Sequence, residues 1–78
     1  GISGLVATYE LRRRGIAVTL LERSGRVGGR IETFQFPGTH HLGELGAMRI
    51  PGCHESTLGY VAEMGLGDRL VPFTTLFR

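Results

Sequence analysis

The sequence contains no lysine, a single cysteine and no run of 18 consecutive apolar residues. Each absence removes a class of protein. All nine cations are arginines. A polybasic patch for nucleic acid or a membrane surface normally mixes in lysine, so neither partner is expected. The one basic cluster, Arg12-Arg13-Arg14, falls at the end of a predicted helix, where cations suit the helix dipole. One cysteine allows no intrachain disulfide, and no cysteine/histidine cluster suggests a structural metal. Without a long apolar run there is no transmembrane-helix candidate. No signal peptide is visible, and the compartment stays open between cytoplasmic and secreted. Repeats, linkers and low-complexity tracts are absent as well, so one domain or part of one is expected.

Glycine is what the sequence has in excess. There are 13 among 78 residues, about one in six against an average of roughly 7%. They carry no collagen-like period, and they sit singly or in short motifs between apolar runs, as in a nucleotide-binding fold. A chain of this length buries only about 60% of its unfolded surface. It is either a weak small domain or a piece of something larger.

Leu5 to Arg14 reads as a helix, with Leu5, Val6 and Tyr9 on one face and Gly15 placed to end it. Ala17 to Leu21 is a short apolar run with β-branched residues, which reads as a strand buried on both faces of a parallel sheet. Arg23 to Arg30 must be a loop. Ile31 to Phe36 alternates as a strand does, and Pro37 to Leu45 reads as an irregular loop. Glu55 to Met64 is a second predicted helix, with Leu58, Val61 and Ala62 on one face and Gly65 at its end. Leu70 to Phe77 is read as a further strand.

The most informative segment is the first. Gly1-Ile2-Ser3-Gly4 opens into the predicted helix, and the strand that follows ends in Glu22, 21 positions after Gly1. This spacing matches the second half of a dinucleotide-binding fingerprint. Gly1 would let the backbone approach a pyrophosphate at a helix N-terminus, and Gly4 would allow close helix–strand packing. Glu22 would accept hydrogen bonds from ribose hydroxyls. A plain strand–helix turn is the alternative. A second motif follows at Arg26-Val27-Gly28-Gly29-Arg30. Its paired glycines let the chain pass tightly under further cofactor phosphate, and Arg30 can neutralise that phosphate with a bidentate fork.

At this point a family resemblance becomes specific. The run Glu22 to Arg30, ERSGRVGGR, resembles the second signature of the FAD-dependent amine oxidase superfamily. Gly46-Ala47-Met48-Arg49-Ile50-Pro51 resembles a segment of the L-amino-acid oxidases within it. The resemblance fades after about Gly67. It implies an α/β, Rossmann-like FAD-binding domain, of which residues 1–78 are the N-terminal part with the first strand missing and the substrate domain absent. It also implies roles. Gly1, Ile2, Ser3 and Gly4 would hold the pyrophosphate region, and Glu22 with the Arg23 backbone the adenosine ribose. Arg26, Gly28, Gly29 and Arg30 would support the diphosphate and ribityl side. Gly46, Ala47 and Met48 would line the flavin, and Arg49 would grip the substrate carboxylate.

The implied reaction is oxidative deamination of an L-amino acid. Hydride passes from Cα to flavin, the imine hydrolyses to a 2-oxo acid and ammonia, and dioxygen becomes hydrogen peroxide. Implied partners are a small-molecule amino acid or amine, dioxygen, the remainder of the enzyme and a second copy in a homodimer. Two rivals stand beside this reading: an oxidase of amines or amides lacking a carboxylate, with Arg49 serving the flavin or an acidic neighbour, and a non-catalytic nucleotide-binding remnant. Other reactive residues have ordinary readings. Cys53 reads as a free thiol, His40 and His41 as solvated loop, and His54 as a capping or surface residue. Tyr60, Met64, Phe73 and Phe77 read as core.

Overall fold

The computed structural model describes residues 1–74. Two compact units divide the chain, Gly1–Met48 and Arg49–Arg78.

The first unit begins with helix α1, Ile2–Arg13. It starts three residues before the predicted Leu5, so Gly1 is its N-cap and Gly4 lies in its first turn. Gly15 ends it as expected, at φ +75°. The Gly15 N–H donates to the Arg12 carbonyl and the Ile16 N–H to the Leu11 carbonyl, both at 3.0 Å. This is the Schellman pattern, which uses the carbonyls a helix end leaves orphaned. Arg13 and Arg14 pair with Glu10 at 3.5 and 3.4 Å. One carboxylate thus offsets part of the cluster's charge at the helix end.

The predicted strand Ala17–Leu21 is not realised. No ladder is formed there among the described residues. A strand exists only through its neighbours, and none of the described segments pairs with this one. Leu21 is 86% exposed, so the expectation of burial on both faces also fails here. One contact does match: a Cβ on Gly4 would stand 3.4 Å from Leu20 Cδ1, the close approach foreseen for that glycine.

An antiparallel hairpin follows. Strand β1, Thr33–Gln35, pairs with β2, Leu42–Glu44, with Thr33 opposite Glu44 and Gln35 opposite Leu42. The expected loop Pro37–Leu45 therefore contains a strand. Its turn is set by Gly38 at φ +73° and by Thr39, whose N–H and hydroxyl both donate to the Phe36 carbonyl. The pairing continues past β1 towards the chain start. The Leu45 N–H donates to the Glu32 carbonyl at 2.9 Å, and the Ala47 N–H to the Arg30 carbonyl at 3.1 Å. Phe34 and Phe36 meet edge to face with centroids 5.2 Å apart.

The second unit holds helix α2, Glu55–Glu63, one residue shorter than predicted. Gly65, at φ +74°, ends it with the same Schellman pair, donating with Leu66 to the carbonyls of Ala62 and Val61. A single 3₁₀ turn, Gly67–Arg69, follows. The strand predicted over 70–77 is not formed in its described part, 70–74, and the rest lies outside the described residues.

No described residue is buried. Tyr60 is half-buried, while Met64 and Phe73 are exposed, against the core roles read for them; Phe77 lies outside the described residues. Val71 is 84% exposed. Apolar side chains this open gain almost none of the burial energy that holds a domain together.

Candidate functional site

Gly1 and Gly29, 28 positions apart in the chain, meet in space. A Cβ on Gly29 would stand 2.9 Å from Gly1 Cα and 3.6 Å from Gly1 N. The Gly28–Gly29 backbone therefore rests directly on the opening of α1. Both glycines have positive φ, +113° and +61°. A side chain at Gly28 would also meet the Ile31 carbonyl at 2.6 Å. Only glycine fits either position. No side chain caps the start of α1, so its first-turn N–H groups face this seam with the positive end of the helix dipole. Among the described residues the N–H groups of Gly28, Gly29 and Arg30 have no acceptor either. Successive free N–H groups in a glycine turn beside a helix start form a concavity suited to an anion.

Glu22 stands at the same seam. Its Oε2 lies 3.6 Å from the Gly1 nitrogen. Its Oε1 accepts from the Ser24 N–H at 3.0 Å and from the Ser24 hydroxyl at 3.1 Å. These bonds favour the ionised form, the backbone bond most, and hold the carboxyl below its ordinary value. An acceptor-only carboxylate is thereby fixed next to the glycine turn. Ile2, Ser3 and Arg23 are exposed around it.

Arg26 and Arg30 behave differently. The Arg26 guanidinium folds back on its own loop, donating to the carbonyls of Val27, Gly29 and Ile31 at 2.6–3.3 Å. It also pairs with Glu32 at 3.0 Å. The Arg30 guanidinium has no hydrogen bond or ion pair among the described residues. It lines an open concavity of about 610 Å³ together with Gly29, Glu32, Leu45, Gly46 and Ala47. Gly46 is pressed onto the Arg30 carbonyl so closely that a Cβ would overlap it. Met48 does not line this concavity and is 64% exposed.

In the second unit, the Arg49 guanidinium lies over the Phe73 ring, with 4.9 Å from its central carbon to the ring centroid. At this distance the cation is attracted by the ring face. His54 is the N-cap of α2 and makes no side-chain cap bond. Cys53 is a free, exposed thiol, as expected. Among the described residues no group of histidine, cysteine, aspartate or glutamate could hold a metal. No described helix is long and apolar enough to cross a membrane.

The structure thus brings Gly1, Glu22, Gly28 and Gly29 to one seam, and Gly29, Arg30, Gly46 and Ala47 to one concavity. Sequence reasoning missed Ser24, Glu32 and Phe73. A serine two residues after a carboxylate is a recognisable turn signal, and Glu32 follows Arg30 at strand alternation. Phe73 carries no such signal.

The family profile described as flavin containing amine oxidoreductase matches residues 2–78. The chain is 47% identical to a flavin-dependent L-tryptophan oxidase of Lentzea aerocolonigenes, over 99% of this chain and 17% of that protein. It is 45% identical to an L-amino-acid oxidase of Mus musculus, over 95% of this chain and 11% of that one. A precursor of L-glutamate oxidase from Streptomyces diastatochromogenes is 43% identical over 88% of this chain and 12% of its own length. The chain therefore spans between a ninth and a sixth of the length of these relatives. No solved structure matches it.

Proposed function

The chain belongs to the flavin-containing amine oxidoreductases, whose cofactor is FAD and whose FAD-binding domain is Rossmann-like, and from that premise we propose that residues 1–78 are the N-terminal part of the FAD-binding domain of an L-amino-acid oxidase. The carrying observation is the seating of the Gly28–Gly29 turn on the start of α1, with the Glu22 carboxylate alongside. That arrangement fits a dinucleotide. It offers unclaimed N–H groups and a helix N-terminus for a diphosphate and a fixed acceptor for ribose hydroxyls. It also leaves a cationic fork, Arg30, without an internal partner.

Each residue then has a task. Gly1, Gly28 and Gly29 let the backbone approach the diphosphate, and Arg30 neutralises it. Ile2 and Ser3 carry first-turn N–H groups, and Gly4 keeps α1 close to the Leu20 segment. Glu22, followed by the Arg23 backbone, holds the adenosine ribose. Gly46 and Ala47 line the flavin, and Met48, outside the concavity, only follows them in the chain. Arg49 holds the α-carboxylate of the substrate. When bound, the flavin supplies the two-electron acceptor. The net reaction converts an L-amino acid, water and dioxygen to a 2-oxo acid, ammonia and hydrogen peroxide. A small-molecule substrate, dioxygen, the rest of the enzyme and a second copy are the partners in this proposal. The relatives' names, acting on tryptophan, glutamate or L-amino acids generally, support a substrate with a carboxylate.

Glu22→Gln in the full-length protein removes the charged acceptor while keeping its shape, and FAD affinity should fall by about tenfold. The pH dependence has a definite sign. The native carboxyl titrates below its ordinary value of 4.5. Its contribution is complete above the ordinary value and is lost as pH falls through the lowered one. Flavin release on acidification therefore contains a component below 4.5 that the Gln variant lacks. Unchanged flavin occupancy of that variant on dilution contradicts the ribose role.

The activity is tested by peroxide release from the purified full-length protein. Release with L-amino acids and not with their decarboxylated amines is expected. The reverse pattern selects an amine or amide oxidase, and a colourless, flavin-free protein selects a non-catalytic remnant.

A further inference from the structure

Two arginines bracket the glycine pair, and their donors are committed differently. Arg26 has four N–H bonds on its two terminal nitrogens. Nη1 donates to the carbonyls of Val27 at 3.2 Å and Ile31 at 3.3 Å. Nη2 donates to the Gly29 carbonyl at 2.6 Å and meets Glu32 Oε2 at 3.0 Å. Three of the four are spent on loop carbonyls and the guanidinium charge is met by Glu32, so neither terminal nitrogen keeps its pair of donors for a phosphate. Arg30, four residues on, has none of its donors claimed among the described residues and faces the concavity.

We infer that Arg26 is a positioning residue for cofactor binding: braced by Glu32, it gathers the carbonyls of Val27, Gly29 and Ile31 and so fixes the glycine turn that seats on α1, without itself ligating the cofactor. This rests on the proposal that the turn holds the FAD diphosphate. The physical need is clear. Two consecutive glycines at positive φ are the most flexible backbone available, and ordering them costs more entropy than ordering any other pair. A turn already held in the binding shape spares that cost when the ligand arrives. The same clamp sets the polarity of the turn. It occupies three carbonyls with a cation and leaves the neighbouring N–H groups for an anion. Charge-assisted bonds of this kind are short and directional, and a guanidinium can serve four acceptors at fixed angles where an ammonium cannot. The Glu32 brace is half-exposed on both sides, so its own share is small.

The test uses the full-length flavoprotein with Arg26→Lys, Arg26→Gln, Arg30→Gln and Glu32→Gln. Flavin release is followed by the fluorescence of free FAD at low and high salt. For the clamp, Arg26→Lys and Arg26→Gln should both weaken retention by about tenfold, with the salt dependence of the parent kept, because no contact to a cofactor charge is lost. Arg30→Gln should weaken retention and flatten the salt dependence. Glu32→Gln should cost about twofold to threefold, and nothing further once Arg26 is Gln. Parent-like retention in Arg26→Lys, or a flattened salt dependence in Arg26→Gln, overturns the inference and makes Arg26 a phosphate ligand. If the Arg26 variants do not fold, Glu32→Gln decides, and parent-like retention there overturns it. A parent protein that binds no flavin overturns the oxidase reading and this inference together, whereas failure of the Arg26 variants alone leaves the oxidase reading standing.

Discussion

Gly46→Ala should strip the full-length enzyme of its flavin. Gly46 is half-buried between Leu45 and Ala47, and both neighbours are pinned by bonds to the carbonyls of Glu32 and Arg30. A methyl group at Gly46 would occupy the space of the Arg30 carbonyl. The backbone cannot give way without breaking the two bonds that align Arg30 with the concavity. Forced overpacking of this kind costs about 3 kcal/mol, which is roughly a hundredfold in the population of the binding-competent loop. The control is Gly59→Ala. A Cβ there meets nothing within 4 Å, and alanine in a helix interior is favoured over glycine, by about 0.5–1 kcal/mol. That variant should keep its flavin and melt no lower than the parent. Full flavin occupancy in Gly46→Ala removes the concavity from the cofactor site.

Arg49 is exposed in residues 1–74; if the rest of the enzyme shields its pairing with the substrate carboxylate from water, Arg49→Ala should lower kcat/KM for L-amino acids by on the order of a hundredfold to a thousandfold. The flavin should stay bound. Arg49→Lys keeps the charge and loses both the planar fork and the face that lies on Phe73, so it should be impaired to a lesser degree. A decarboxylated amine, if turned over at all, should be nearly indifferent to either change. Amino-acid oxidation within about twofold of the parent in Arg49→Ala assigns the chain to the amine or amide oxidases. Loss of the flavin from that variant assigns Arg49 to the cofactor.

The parts of this chain that local chemistry dictates were legible in the sequence. Gly15 and Gly65 end their helices because a left-handed residue is required there and only glycine adopts it freely. Both helices were placed to within one residue at that end. Ala17–Leu21 shows the opposite case. Its residues favour a strand, yet a ladder is a property of two segments, and no described segment offers the second. Strand β2 escaped because Leu-Gly-Glu is short, contains glycine and has no alternation to read. Its pairing is imposed by the turn at Gly38 and Thr39. The glycines of the site were visible as residue types, while the reason for each lies in contacts between distant positions, Gly29 with Gly1 and Gly46 with Arg30. The committed state of Arg26 was invisible for the same reason. By residue type Arg26 and Arg30 look alike beside the glycine pair, and only the folded loop shows that Arg26 donates to three of its carbonyls.

The most direct test is an anaerobic titration of the purified full-length protein, with the visible flavin absorption recorded. L-amino acids and their decarboxylated amines are added in separate runs, and air is admitted at the end. The expected result is bleaching by L-amino acids alone, with colour and an equivalent of peroxide returning on admission of air. Bleaching by the amines alone, or a protein that carries no flavin to bleach, would contradict it.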